Sequence, residues 1–118
     1  MAIKYLRKDE LPGNEGRRDF VGANHGGLHV SCLLVDTAPG DGPSLHCHPY
    51  VEILIVVEGS GTLDDGKTKR VAGAGEMAIV DAGQLHGFVN SGDGRLLMTN
   101  IHLSPRIATE WLDGQDST

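Results

Sequence analysis

From Arg17 onward this chain never runs far without a turn. Short β-branched and apolar runs alternate with breaks built from glycine, proline and Asp-Gly. Seventeen glycines and five prolines among 118 residues, without Gly-X-Y periodicity, suit a fold of many short strands and tight turns. The runs Leu28–Asp36, Ser44–His48, Glu52–Glu58, Thr62–Asp64, Lys67–Val71, Glu76–Asp81, His86–Asn90 and Arg95–Leu103 read as strands. Asp65-Gly66 is a hairpin signal, because both residues tolerate positive φ. Strands recurring every eight to twelve residues or so predict an all-β sandwich or closed barrel. The series ends in a change of character. Ser104 can cap a short helix over Pro105–Leu112, with proline at its first position and Ile107, Trp111 and Leu112 on one face. The expected organisation is an N-terminal arm over residues 1–16, one barrel over 17–112 and a disordered polar tail over 113–118.

Charge and composition remove several functions. A net charge of −6 without a basic cluster gains no counterion-release energy from a phosphate backbone, so nucleic acid is not the expected partner. Aromatic content of 4% leaves no base-stacking platform. No apolar run is long enough to span a bilayer and Met1–Glu10 has no signal-peptide core, so the expectation is a soluble, cytoplasmic protein without membrane contact. Cys32 and Cys47 read as reduced thiols, and strand alternation turns Cys47 away from the histidines beside it.

Glu52–Val57 breaks the alternation seen elsewhere. After its first residue the run Ile53-Leu54-Ile55-Val56-Val57 is apolar on both faces, whereas a strand with one wet face alternates. One face fills the barrel; the other needs cover from a second sheet or another subunit. A homodimer is the expectation.

His46 and His48 are two apart, so on a strand both side chains leave the same face. Glu52 follows after a Pro-Tyr break that lets the chain turn back, and His86 comes from a distant strand. Three imidazoles and one carboxylate suit a single borderline divalent metal: iron, manganese, nickel, copper, cobalt or zinc. Four protein ligands would leave one or two octahedral positions open, which separates a catalytic site from a closed structural one.

Gly40–Gly59 reads G-DGPSL-H-C-H-PYV-E-ILIVVE-G, and Gly75–Asn90 reads G-EMAIV-D-A-G-QL-H-GFV-N. The first resembles the leading cupin motif, G-x5-H-x-H-x3-E-x6-G, at every specified position. The second resembles the other cupin motif, G-x5-P-x-G-x2-H-x3-N, with Asp81 where the pattern has proline. Asp can make its own side-chain turn contact there, so the barrel should survive. The resemblance implies a double-stranded β-helix, or jelly-roll barrel, with metal ligands at His46, His48, Glu52 and His86. Gly40, Gly59, Gly75 and Gly83 fall at predicted strand ends and read as scaffold positions of positive φ.

The other histidines receive structural readings. His25 is expected in a loop, His29 in either orientation, and His102 as a satisfied histidine on a face shared with Met98 and Asn100. Alternation places Phe88 and Asn90 on the face of His86, and Leu54 and Val56 on that of Glu52. This predicts a mainly apolar cavity around a polar centre, suited to a small organic ligand with a chelating group. Arg95 and Arg106 receive no role. The leading expectation is a metal-dependent oxidoreductase of dioxygenase type acting on a chelating enol or phenol, with Glu52 also catalytic as acceptor of the substrate's proton. A lyase, isomerase or cyclase using the ion as Lewis acid is the second reading, and a ligand-binding or sensor barrel without turnover the third.

Overall fold

The computed structural model describes residues 2–112. Eleven strands run through them: β1 (Gly13–Asn14), β2 (Arg17–Phe20), β3 (Ser31–Thr37), β4 (His46–Cys47), β5 (Glu52–Glu58), β6 (Ser60–Asp64), β7 (Lys69–Gly73), β8 (Met77–Val80), β9 (Gly87–Asn90), β10 (Leu96–His102) and β11 (Glu110–Trp111). They form an antiparallel six-stranded sheet in the order β1-β2-β3-β10-β5-β8 and a three-stranded sheet in the order β7-β6-β9, with β11-β4 as a third pairing. Backbone bonds extend the smaller sheet. Gly40, Asp41 and Pro43 pair with Asn90 and Phe88, and His46 and His86 exchange both of their bonds at 2.9 Å. The result is the all-β barrel that the turn spacing predicted, in the jelly-roll form, a double-stranded β-helix, that the resemblance of the two motifs implied.

Parity decides what lies inside. Along β10, Leu96, Met98, Asn100 and His102 are buried and the residues between them are not. Along β5, Glu52, Leu54 and Val56 are buried in the same way. Leu54, Val56, Val80, Phe88, Leu96 and Met98 form the core cluster between the sheets. Each such side chain contributes about 1.5–3 kcal/mol of burial free energy. The core fills one end of the barrel, and the polar side chains of β5 and β10 occupy the other.

The outer face of the large sheet is apolar as well. Ile53 pairs with Ile101 on one side and Ile79 on the other, and Ile55 with Thr99 and Met77. Ile79 and Met77, on the edge strand, are 74% and 65% exposed. The second sheet of this chain packs on the opposite face.

The C-terminal helix expected over Pro105–Leu112 is absent. The segment is extended and spends its backbone groups on the barrel: Pro105 accepts from Ala23 N–H, Leu112 donates to the Leu45 carbonyl, and Glu110–Trp111 pair with β4. Eight residues are too few to nucleate a helix unaided, and these tertiary bonds outcompete it. Ser104 still accepts the Arg106 N–H, but as a local turn. Strand β2 went unread in the sequence because Arg17-Arg18-Asp19 shows no apolar alternation, and Gly13–Asn14 joins it in a hairpin. The tail expected over 113–118 lies outside the described residues.

Gly40, Gly59, Gly75 and Gly83 all have positive φ, between 81° and 90°. They differ in surroundings. A Cβ on Gly40 would meet open space, whereas one on Gly59 would overlap the Arg95 carbonyl at the start of β10. Gly40→Ala should therefore cost about 1–2 kcal/mol, the left-handed penalty alone. Gly59→Ala should cost at least about 2 kcal/mol more, because backbone must move. Urea denaturation of both variants reads the difference; equal losses would refute the close approach at Gly59.

Candidate metal centre

Four buried side chains converge at the polar end of the barrel. His46 lies on β4 and His48 just beyond it. Glu52 opens β5 after the Pro49-Tyr50 break, and His86 immediately precedes β9, bridged to His46 through the backbone. One ligand atom from each lies within 4.8 Å of all the others. Bonds of about 2.1 Å to one ion could draw such a set together.

The ring orientations sharpen the point. His46 Nδ1 lies 2.7 Å from the Ser44 carbonyl, His48 Nδ1 2.7 Å from the Ala108 carbonyl, and His86 Nδ1 3.0 Å from the Gln84 carbonyl. A carbonyl only accepts, so each Nδ1 carries the proton and each Nε2 is left with a lone pair. These carbonyls thus do what the outer partners of metal-binding histidines do: they set the tautomer and the ring direction. The inward lone pairs then face a carboxylate. Glu52 Oε1 is 2.8 Å from His86 Nε2 and 3.3 Å from His48 Nε2, and His48 Nε2 is buried with no hydrogen-bond partner. Acceptors this close repel unless a cation or a proton sits among them. The cluster fits one divalent metal ion.

The protonation states agree with that use. Burial, reinforced by the neighbouring His86 and His48, outweighs the Ser44 carbonyl and pushes the His46 imidazole down to about 4, so it is neutral near pH 7. Burial also acts to raise the Glu52 carboxyl, but its imidazole surroundings, His102 first, prevail and hold it below the usual carboxylate range. Neutral imidazoles and an ionised carboxylate are what a divalent ion binds.

The centre opens into a cavity of about 800 Å³. Leu33, Leu54, Phe88 and Trp111 form its apolar wall, and the Trp111 ring lies 4.7 Å from that of His46. The mouth is more polar than alternation along the motif strands suggested. Arg17, doubly bonded to Asp19, and Arg95, bonded to Asp36, line it, together with a buried Asn100. Val56 belongs to the core, and Asn90 ties down the turn that follows it by donating to the Thr37 and Gly94 carbonyls. His25 stacks on Phe20, His29 is exposed, and Cys47 lies outside the cluster.

Sequence reasoning gave His102 only a structural reading and gave Tyr50 none beyond its place in the Pro-Tyr break. His102 is fully buried, with Nε2 2.9 Å from Glu52 Oε2 and Nδ1 2.6 Å from the Tyr50 hydroxyl. Its face, shared with Met98 and Asn100, was readable; its partner across the sheet was not. Burial, with the added repulsion of Glu52, pushes the Tyr50 phenol up to about 12 against the opposing Ala108 contact, so it keeps its proton.

A family profile for the Cupin domain matches residues 33–102. No curated protein matches the chain. Among solved structures, a conserved protein with a double-stranded beta-helix domain from Klebsiella pneumoniae is 20% identical, with a TM-score of 0.72 over 92% of this chain and 96% of that one. An oxalate oxidase is 27% identical, with a TM-score of 0.74 over 92% of this chain and 63% of its own length. The Bacillus subtilis oxalate decarboxylase, a protein with Mn(II) centres, is 22% identical, with a TM-score of 0.72 over 87% of this chain. This chain spans 30% of that decarboxylase.

The neutral, buried His46 makes the metal-free protein acid-sensitive. Between its ordinary 6.5 and about 4 the unfolded chain binds more protons than the folded one, so stability falls as pH is lowered through that window. Glu52, also depressed, adds to the loss below its ordinary 4.5. The Tm of chelator-treated protein should drop steadily from pH 6.5 to 4; a flat Tm would mean that His46 is not buried neutral.

Proposed function

The chain belongs to the cupin family, and from that footing we propose that it is a metal-dependent oxidoreductase of dioxygenase type, with His46, His48, Glu52 and His86 as ligands and a small chelating organic molecule as substrate. The observation that carries this reading is the set of three imidazoles, each locked by a backbone carbonyl with its lone pair inward, beside an ionised carboxylate at the base of an open cavity. The likeness to an oxalate oxidase supports an oxidoreductase acting on a small molecule. A cavity of about 800 Å³ has room for a larger substrate than oxalate.

A bound redox-active ion would supply Lewis acidity and electron transfer at the substrate's oxygens. The chain's own residues do the rest. The three histidines hold their tautomers through Ser44, Ala108 and Gln84. Leu54, Phe88 and Trp111 keep the inner cavity poor in water, and Glu52 is placed to accept a proton from the substrate's enol or phenol. Residues 17–112 form the working barrel, and the arm over 1–16 adds β1 to the edge of its larger sheet. Free thiols at Cys32 and Cys47 suit a reducing compartment, and we place the protein in the cytoplasm. The B. subtilis decarboxylase likeness favours one second reading, in which the same centre runs a lyase reaction without net oxidation.

Elemental analysis of purified protein beside a His48→Ala variant tests the centre. One equivalent of a redox-active metal is expected in the first, with affinity lowered more than about 100-fold in the variant, beyond the usual cost of an outer partner. Oxygen consumption on mixing with enols, catechols or small hydroxy acids tests the reaction; turnover without oxygen uptake would favour the lyase, and a strict zinc content would do the same.

The outer sheet face supports a homodimer. Ile53, Ile55, Met77, Ile79 and Ile101 form a continuous apolar surface around the β8 edge. Sedimentation at micromolar concentration should give twice the 12.5 kDa chain mass, and Ile79→Glu should return the monomer. A monomeric unmodified protein would overturn this assembly.

A further inference from the structure

Glu52 uses its two oxygens differently. Oε1 faces the imidazoles of His86 and His48, while Oε2 lies 2.9 Å from Nε2 of His102. His102 stands directly opposite Glu52 in the register of β5 and β10, so the contact is built into the sheet. It is fully buried, and its other nitrogen, Nδ1, is 2.6 Å from the Tyr50 hydroxyl. The phenol oxygen accepts the Ala108 N–H at 3.2 Å, which leaves its own proton to donate to His102 Nδ1. With Nδ1 accepting, the His102 proton sits on Nε2, on the side of Glu52. The Nε2–Oε2 approach has hydrogen-bond distance but is bent off the ring's N–H axis, so it acts mainly as a close charge–dipole contact.

We propose that His102 and Tyr50 are positioning residues: the Tyr50–His102 pair holds Glu52 Oε2 away from the metal, so the carboxylate ligates through Oε1 alone and a coordination position stays open for substrate. The inference rests on the reading of His46, His48, Glu52 and His86 as ligands. His102 itself stays out of the ligand set, because its Nε2 is turned to the far oxygen of Glu52. Tyr50 adds a second link. The Ala108 residue that donates to its hydroxyl also accepts from His48 Nδ1, so one short stretch of the C-terminal segment supports both a ligand and the residue that orients another.

Cobalt(II) titration of the full chain, followed by the visible d–d bands, tests the proposal with the metal alone. His102→Leu should weaken cobalt binding by about 10- to 100-fold, the range for outer partners. It should also dim the bands, as the released carboxylate adds its second oxygen and the geometry becomes more nearly octahedral. Tyr50→Phe, which removes one oxygen atom, should move both readouts the same way by less, and it carries the test alone where His102→Leu does not fold. Repeated in a Glu52→Ala background, neither substitution should have any further effect, since no carboxylate remains to be held. Unchanged affinity and bands in folded variants would overturn the proposal, and so would equal losses with and without Glu52, which would make His102 a support of the fold only. Failure of the unmodified protein to bind cobalt would instead overturn the ligand reading itself.

Discussion

A carboxylate buried among imidazoles is the constraint around which the polar half of this barrel is arranged. Glu52 is 3% exposed, and an ionised group so far from water costs several kcal/mol unless positive or donating neighbours surround it. Imidazoles reach it from every strand at this end: His48 beside β4, His86 ahead of β9 and His102 at the end of β10. With His48 and His86 locked as Nδ1–H tautomers, and only His102 turning an N–H toward the carboxylate, part of the compensation is left for a cation. Fold and metal are thereby linked, because the residues that would bind the ion are those whose burial is otherwise unbalanced.

The division of the barrel into an apolar end and a polar end follows from register. One strand pair, β5 with β10, carries both halves: Leu54 and Val56 lie beside Asn100 and Met98 in the interior, and Glu52 lies beside His102. A slip of one residue would turn Glu52 out to solvent and bring Ile53 in, so the hydrophobic core and the site select the same pairing. The C-terminal segment closes the arrangement. By staying extended it gives the Ala108 carbonyl to His48 and the Trp111 ring to His46, which a helix over the same residues could not do with its backbone bonds turned inward.

Much of this was legible beforehand because it depends on spacing. Two histidines at i and i+2 share a strand face whatever the rest of the molecule does, and glycines at predicted strand ends do take positive φ. Strand β2 and the polar cavity mouth were not legible. Arg17 and Asp19 sit in a run without apolar alternation, and their inward orientation is set by pairing with Val35 and Leu33. The helix expected over Pro105–Leu112 failed for a related reason: a favourable cap and an N-terminal proline are local signals, and distant partners decided the segment.

The sequence by itself determined the candidate ligand types, their faces, the turns and the all-β class, since each of these follows from local stereochemistry and a period of two along a strand. The tertiary structure alone decided which remote residues meet. It placed His102 against the far oxygen of Glu52, Tyr50 behind His102, and Ala108 and Trp111 over the histidines. Those contacts join residues 50 to 60 positions apart or more along the chain. Only the pairing order of the sheets and the path of the C-terminal segment bring them together, and neither is written in any local pattern.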